Sequence, residues 1–239
     1  MISRLDKILA AQSTASRKDI KQLVKSGNVK INGVCAKSSD IKIDTEKDIV
    51  SVNGEEISLK EHIYIMMNKP TGVVSATEDN ILPTVVDILP DELKRKGLFP
   101  AGRLDKDTVG FVLITDDGKF AHDILAPKKH IEKTYLAGLD KKITDDLITE
   151  FEKGVDIGGG DICLPAKLRI LENNGTPMVE VKIKQGMYHQ IKRMFSSYGY
   201  KVIYLKRLQI GNLKLDENLA EGEAREITKN ELDLITKSR

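Results

Sequence analysis

The sequence has few residues from which a disulfide or a zinc site could be built. Only two cysteines occur among 239 residues, Cys35 and Cys163, and neither has a second cysteine or a histidine at ligand spacing. Disulfide frameworks and zinc sites both require such spacing. We therefore expect no metal centre, and we interpret both cysteines as structural thiols.

Long apolar runs are also missing. No stretch of eighteen consecutive apolar residues occurs, and the first nineteen residues, MISRLDKILAAQSTASRKD, carry charges throughout. A membrane helix would need the first feature, and a secretory signal would need an unbroken apolar region in the second. The sequence therefore predicts no membrane association and a cytoplasmic location.

The common catalytic motifs are absent. The chain has no GxxxxGKS/T phosphate loop, no GxSxG nucleophile elbow and no HExxH zinc motif. Three glycines at 158–160 precede Asp161, where a phosphate loop would have a cation further on. We interpret them as a turn, and we expect the protein to work without a cofactor.

The charge is distributed unevenly, although the net charge is only +2. Residues 1–37, the N-terminal basic segment, carry eight lysines and arginines against two aspartates, a net charge of +6. Residues 182–207, the C-terminal basic segment, carry seven against no acid, a net charge of +7. This separation favours binding of a polyanion on two surfaces. The alternative is that both segments are solvated faces that keep the protein soluble.

The first 59 residues predict two short helices followed by hairpins. Ser16 with Asp19 forms an approximate capping box, and the helix that it opens is expected to stop at Gly27. Two Asn-Gly pairs, at 32–33 and 53–54, lie between short apolar runs and predict hairpin turns.

This N-terminal pattern, RLDKIL…SRKDIKQLVKSGNVKINGVCAKSSDIKI, resembles the alpha-L RNA-binding domain. The resemblance implies that residues 1–59 form a small RNA-binding domain, in which the second helix and the following strand carry the cations that face RNA. By position these cations are Arg17, Lys18, Lys21, Lys25 and Lys30.

Residues 60–239 predict a second, larger domain after a polar linker at 58–63. Its strand and helix signals are mixed without strict alternation, and strands outnumber helices, which favours an α+β domain with a mixed, mostly antiparallel sheet. A helix is expected near 145–154 with Thr144 as its cap, and Thr228 with Glu231 predicts a closing capping box.

A carboxylate, an amine and a phenol are the candidates for chemistry. Asp105 lies in a loop before the apolar run at 109–114, where partial burial would raise its pKa unless a cation were held nearby. Lys192 and Arg193 could supply that cation from a helix that follows a glycine. Tyr135 could stack on a base or move a proton.

Four motifs in fixed order, behind the alpha-L domain, resemble the pseudouridine synthases of the ribosomal small-subunit type. The resemblance covers nearly the whole chain and implies a cytoplasmic isomerase that converts uridine to pseudouridine in ribosomal RNA during ribosome biogenesis. The motifs are KPTGVV (69–74), GRLDKDTVGFVLITDDG (102–118), EKTYL (132–136) and QGMYHQIKRMF (185–195).

The resemblance also implies a role for each site residue. Asp105 matches the nucleophile or base, Lys192 the basic residue that pairs with it, and Tyr135 the tyrosine that packs on the target base and takes the proton from carbon 5. The routes open to Asp105 are addition to the anomeric carbon, addition to uracil carbon 6, and removal of a ribose proton.

Five further residues are predicted to support substrate binding at this pocket. Arg103 would fill the gap left by a flipped uridine, and Ile191 would line the pocket under the base. His189 and Gln190 would orient their loop by hydrogen bonds, and Lys69 would support the Asp105 loop from the far side.

Two alternatives belong to other classes of protein. A non-catalytic ribosome-assembly module would share the charge pattern without needing Asp105. A glycoside hydrolase would need a second carboxylate across the bond, and Asp107, two residues away, is expected to point outward. The expected partner is ribosomal RNA or a ribosomal subunit assembly intermediate, bound by a monomer.

Overall fold

The computed structural model describes residues 2–12, 15–57, 59–171 and 175–236. The chain divides into two units, Met1–Ile63 with Pro90–Leu98, and Tyr64–Leu89 with Phe99–Arg239. Pro90–Leu98 thus belongs to the first unit, although the sequence places it in the larger domain. Within the first unit the guanidinium of Arg95 donates to the carbonyl oxygens of Lys60 and Glu61, at 3.4 and 2.8 Å.

The first unit contains two helices and short strands. Its elements in chain order are β1 (Ile2–Arg4), α1 (Leu5–Gln12), α2 (Arg17–Lys25), β2 (Val29–Ile31), β3 (Val34–Cys35), β4 (Lys42–Asp44), β5 (Val50–Val52) and β6 (Glu55–Ile57), with a 3-10 turn at Asp91–Leu93. β1 pairs with β4, and a second antiparallel sheet has the order β3-β2-β5-β6. The apolar faces of both helices and the inward residues of β2, β4 and β5 form its core.

Local sequence signals explain this unit. The Ser16 hydroxyl accepts the Asp19 amide proton while the Asp19 carboxylate accepts the Ser16 amide proton, so the predicted capping box is confirmed. Helix α2 ends at Lys25, and Gly27 follows with a φ of 73°. Both predicted hairpins are present, because each Asn-Gly pair adopts the positive φ angles of a type I′ turn.

The second unit is built on one large mixed sheet. Its strands are β7 (Tyr64–Lys69), β8 (Phe99–Ala101), β9 (Val109–Thr115), β10 (Lys133–Leu139), β11 (Lys167–Leu171), β12 (Met178–Ile183), β13 (Val202–Ile210), β14 (Leu213–Lys214) and β15 (Ala224–Glu226). Its helices are α3 (Gly118–Leu125), α4 (Asp146–Lys153), α5 (Gln190–Ser196) and α6 (Lys229–Thr236), with a 3-10 turn at Pro127–Lys129.

The sheet order is β11-β12-β10-β13-β9-β7-β15, with β8 on β9 and β14 on β13. β9 and β13 run parallel and the other pairs antiparallel, so the predicted α+β fold with a mixed, mostly antiparallel sheet is confirmed. A core of apolar side chains includes Met66, Phe111 and Leu113 of the central strands. The parallel pair places the loop before β9 and the middle of β13 side by side, and this juxtaposition builds the candidate site.

The helix caps of this unit test two local predictions. Thr228 and Glu231 exchange the hydrogen bonds of a capping box before α6, as predicted. The cap predicted for α4 is wrong, because the helix begins at Asp146 and Asp145, not Thr144, is the residue before it. Asp145 already has helical dihedral angles and its side chain caps nothing, and the Leu147 amide donates to the Thr144 carbonyl oxygen, so a turn at Thr144 precedes the helix.

Candidate active site

The loop between β8 and β9 holds Asp105, and a buried lysine fixes the loop from below. The Lys69 side chain is fully buried, and its Nζ donates to the carbonyl oxygens of Pro70, Lys106 and Thr108, at 2.9, 3.2 and 2.8 Å. Lys69 therefore supports the Asp105 loop, as the sequence predicts. Its assignment to substrate binding is wrong, because three carbonyls occupy the ammonium and no surface of the side chain is accessible.

Asp105 shares the ammonium of Lys192 with a second carboxylate. Lys192 Nζ lies 3.0 Å from Asp105 Oδ2 and 2.6 Å from Asp107 Oδ1. The sequence predicts the contact between Lys192 and Asp105. It also predicts that Asp107 points outward, and this is wrong: the Asp107 side chain stays exposed, but its carboxylate turns back to the Lys192 amine. The Asp105 and Lys192 side chains are 28% and 25% exposed, so the pair is partly buried and partly open to solvent.

The pKa values reflect this arrangement of charges. Partial burial lowers the pKa of Lys192, but hydrogen bonds to Asp107 and Asp105 outweigh it, so the net pKa is raised. The hydrogen bond from Lys192 lowers the pKa of Asp107. Burial lowers the pKa of Lys69 to about 8, although the charges of Asp107 and Asp105 oppose the shift. The Lys192 amine beside Asp105, whose pKa is raised, is therefore charged at neutral pH.

Helix α5 carries Lys192, and its first turn is held at both ends. Gln190 accepts the Met187 amide proton through Oε1 at 3.1 Å, and Arg193 donates to Asp161 at 3.0 Å and to the carbonyls of Ile157 and Gly158. The glycines at 158–160 form a turn with positive φ angles, as predicted. Arg193 thus ties this turn to the helix that presents Lys192.

His189 is the residue before α5 and contacts the candidate acid directly. Its Nε2 lies 3.4 Å from Asp105 Oδ1. Its backbone is left-handed, with a φ of 47°, a conformation that is uncommon for residues with a side chain. Such a conformation persists only where the surroundings impose it. The Gln190 side chain orients the loop by a hydrogen bond, as predicted, and the same role for His189 stays a prediction.

Tyr135 lies on β10. Arg207, a buried arginine that sequence reasoning missed, lies beside it. Arg207 is only 2% exposed and is the register partner of Tyr135 on the neighbouring strand. Its guanidinium donates to the carbonyls of Phe111 and Gly102 at 2.7 and 3.0 Å, and Nη1 lies 3.5 Å from the Tyr135 hydroxyl. Arg207 thereby joins β9, the Asp105 loop and Tyr135.

Close approach of the two parallel strands requires a glycine at 110. Gly110 has a φ of 98°, and a Cβ there would lie 2.4 Å from the Arg207 carbonyl oxygen. The motif that follows Asp105 is therefore glycine-containing for a steric reason. Alternation along VIYLKRLQI, in which Arg207 shares the side of Leu205, is the sequence signal that could have found the buried arginine.

Several of these side chains line one open pocket. Asp105, Tyr135 and Lys192 all line it, together with the predicted Arg103, His189, Gln190 and Ile191. Arg103 is exposed and Ile191 is buried. Leu104, Thr108, Ile183, Gly186, Met187 and Leu205 complete the lining. The pocket thus combines apolar walls with one ion pair and one phenol.

The cations predicted to face RNA belong to the first unit. All of them are exposed, four on α2 and one on β2: Arg17, Lys18, Lys21, Lys25 and Lys30. Among the described residues, no group of three or more histidine, cysteine, aspartate or glutamate side chains could hold a metal ion. Within the same ranges, none of the helices has the length and apolar composition that a bilayer crossing requires.

Two known families match two separate parts of the chain. Residues 63–197 match the family described as RNA pseudouridylate synthase, and residues 3–50 match the S4 domain. An RNA pseudouridine synthase of Bacillus subtilis (strain 168) is 48% identical over 233 residues, which cover 97% of this chain and 98% of the relative.

Two further similarities extend over the full length. Ribosomal small subunit pseudouridine synthase A of Vibrio cholerae is 42% identical over 235 residues, covering 98% of this chain and all of the relative. A crystal structure of a pseudouridylate synthase superposes with a TM-score of 0.68 at 38% identity, covering 97% of this chain and 99% of that one.

Proposed function

Because this chain belongs to the RNA pseudouridylate synthase family and carries an N-terminal S4 domain, we propose that it isomerises a uridine of small-subunit ribosomal RNA to pseudouridine. The family makes the protein an enzyme, an isomerase that acts on RNA. The small-subunit substrate is inferred from relatives that carry this activity in their names. We further propose that it acts as a monomer in the cytoplasm, on ribosomal RNA or on an assembly intermediate.

The observation that carries the proposal is the ion pair in the pocket. Isomerisation breaks the bond between uracil N1 and C1′ of the ribose and forms a bond between C5 and C1′. The proton on C5 leaves and N1 gains one, so the atoms balance without a redox partner or a donor group. A carboxylate whose oxygen lies 3.0 Å from the Lys192 ammonium is a reagent suited to these steps.

Asp105 is proposed to be the nucleophile or base. Its carboxylate can attack C1′ or uracil C6, or can take the ribose proton beside the breaking bond. In each route the carboxylate loses negative charge as the reaction begins. Lys192 would then still face the charge of Asp107, at 2.6 Å, so the amine would not be left unpaired in a partly dry pocket.

Tyr135 is proposed to pack on the uracil and to take the proton from C5. The phenol is buried in the pocket wall, and Arg207 Nη1 lies 3.5 Å from its hydroxyl. A phenol that accepts the C5 proton must give up its own, and the uracil N1, which gains a proton in the isomerisation, is where that proton ends.

The uridine is proposed to leave its stack before it reacts. An open pocket beside an exposed arginine fits this step, because a flipped base costs a few kcal/mol of lost stacking and an inserted guanidinium offsets part of the loss. Arg103 is the candidate for insertion. The exposed cations of α2 and β2 are proposed to hold the RNA backbone.

A glycoside hydrolase is not favoured by the same geometry. Asp107 does lie near Asp105, but both carboxylates contact one ammonium. A hydrolase of that kind needs one carboxyl group to hold a proton as the general acid, whereas contact with Lys192 lowers the pKa of Asp107.

Pseudouridine mapping in ribosomal RNA tests the proposal. Small-subunit RNA from cells lacking this protein should lose pseudouridine at one position, and purified wild-type enzyme should restore it. Asp105→Asn should restore nothing, since the amide is neither a nucleophile nor a base of comparable strength. Asp123→Asn is the matched control, because that carboxylate contacts Lys119 on the surface of α3 and does not line the pocket.

Two results would contradict the proposal. Restoration by Asp105→Asn at the wild-type rate would remove the carboxylate mechanism and favour a non-catalytic assembly role. A lost pseudouridine in large-subunit RNA alone would move the substrate to the other subunit.

A further inference from the structure

An aromatic ring lies exposed at the edge of the pocket, beyond the residues that line it. Tyr188 is 76% exposed, and its two chain neighbours, Met187 and His189, both line the pocket. Large apolar rings that remain in water at the mouth of a binding site are candidates for contact with a ligand. Tyr188 has no part in the chemistry described above.

The Tyr188 ring stacks on the imidazole of the next residue. The Tyr188 and His189 ring centroids are 3.8 Å apart and their planes are inclined by 19°. His189 Nε2 is in turn 3.4 Å from Asp105 Oδ1. A continuous line of contacts therefore runs from the candidate nucleophile to an aromatic face at the surface.

The backbone under this stack is held in place. His189 has the left-handed φ of 47° that turns consecutive side chains toward each other. Arg193 Nη1 lies 3.5 Å from the Tyr188 carbonyl oxygen, and the same guanidinium is bonded to Asp161 at 3.0 Å. The exposed ring is thus carried on a segment with fixed partners.

We propose that Tyr188 is a second base-binding subsite, on which a nucleotide next to the target uridine stacks. This inference rests on the proposed function, because it takes a uridine to occupy the pocket. Once one base is flipped out, its neighbours lose a stacking partner, and an exposed aromatic ring one residue from the pocket lining replaces it. The base, the Tyr188 ring and the His189 ring would then form a single stacked column.

The chemistry of the subsite predicts that it accepts any base next to the target uridine. Every base has a π face, so stacking on Tyr188 adds affinity with little preference among bases. The side chain hydroxyl is not needed for this contact. The subsite should therefore recognise an unpaired nucleotide of any identity and should disfavour a neighbour that remains in a duplex.

A series of substitutions separates the ring from other properties of the side chain. Tyr188→Phe keeps the aromatic face and should bind RNA within about twofold of wild type, whereas Tyr188→Leu keeps apolar bulk without the ring and should bind about tenfold more weakly. The rate at saturating RNA should stay within about twofold in both. Tyr200→Leu is the control, because its ring lies over Lys141 and does not line the pocket.

The decisive measurement is a double-mutant cycle with RNA as the second partner. The probe is a synthetic small-subunit RNA fragment centred on the mapped uridine, with an abasic residue at its 5′ or 3′ neighbour. With wild type, one of the two abasic fragments should bind about tenfold more weakly than the intact fragment. With Tyr188→Leu, that abasic fragment and the intact fragment should bind equally well.

The outcomes separate this inference from the function on which it rests. Additive losses for both abasic fragments, or unchanged binding by Tyr188→Leu to the intact fragment, would overturn the subsite while the enzyme stays active. A slower rate at saturating RNA with unchanged binding would show that Tyr188 only positions His189, and would also overturn it. If the wild-type protein forms no pseudouridine in any ribosomal RNA, both the proposed function and the Tyr188 subsite are contradicted.

Discussion

The two basic segments have nearly the same charge in the sequence, but only the second holds three of its cations in fixed contacts or buried. The N-terminal basic segment, residues 1–37, exposes all five of its predicted RNA-binding cations. In the C-terminal basic segment, residues 182–207, Lys192 contacts two carboxylates, Arg193 contacts Asp161 and three carbonyls, and Arg207 is 2% exposed. Exposed cations can follow a flexible phosphate backbone, whereas fixed cations preorganise one site.

The exposed cations of the first segment should therefore act in RNA binding, and the fixed cations of the second in the reaction or in stability. Removing a cation from the first segment should weaken RNA binding at low and moderate salt and leave the rate at saturation unchanged. Removing a fixed cation from the second should change the rate or the stability, with a smaller effect on salt dependence.

Lys192→Met should lower the rate at saturating RNA by about 100- to 1,000-fold, because Asp105 loses the ammonium, 3.0 Å away, that holds its carboxylate in place. Single-turnover formation of pseudouridine at saturating RNA measures this effect. Lys184→Gln is the control, since Lys184 is an exposed cation of the same segment and lies outside the pocket lining. Weaker binding with an unchanged rate in Lys192→Met would place Lys192 with the RNA-binding cations.

Arg207→Met should lower the free energy of unfolding by about 2 to 4 kcal/mol. The buried carbonyl of Phe111 and the partly buried carbonyl of Gly102 would both lose their charged donor. Urea denaturation measures the loss. Lys206→Met, on the same strand but partly exposed, should cost little by comparison. Equal stability of the two variants would mean that the buried guanidinium is not the link between the strands.

The fold could be predicted where the signal is local. Capping boxes and Asn-Gly turns involve residues two to four positions apart, and their chemistry determines the backbone directly, so those predictions are confirmed. The cap of α4 failed because a backbone turn at Thr144 and Asp145, without a side-chain cap, precedes the helix, and composition does not report such a turn. The inclusion of Pro90–Leu98 in the first unit depends on long-range contacts such as those of Arg95, which no local pattern reports.

The site was predictable in part for a similar reason. Motif resemblance identifies Asp105, Tyr135 and Lys192, and the structure brings the three to one pocket. Arg207 was missed because its contact with Tyr135 depends on strand register across 72 positions. Asp107 was misplaced because the sequence does not reveal that Lys192 reaches past Asp105 to a second carboxylate.

Lys21→Gln combined with Lys25→Gln should weaken RNA binding by about tenfold at moderate salt. The slope of log affinity against log salt should fall by about 1.4 to 1.8, since each phosphate contact contributes about 0.7 to 0.9. Filter binding across a salt series measures both. Lys47→Gln is the control, because Lys47 is an exposed lysine of the same unit outside the basic segment. A lower rate at saturation with an unchanged slope would contradict a backbone-binding role.

The smallest effect concerns Lys69, whose pKa of about 8 in the folded protein lies below its ordinary value of 10.5. Between these two values the unfolded chain holds a proton at this position that the folded protein has released, so stability rises with pH. Wild type should gain about 1 kcal/mol relative to Lys69→Met between pH 8 and pH 9. Burial also lowers the pKa of Lys133 to about 8, and the comparison cancels its contribution because both proteins contain it. Denaturation curves at the two pH values measure the difference. A stability difference that stays constant or shrinks would show that the ammonium stays protonated on its three carbonyls, in which case burial does not distinguish Lys69 from the exposed lysines of the first segment.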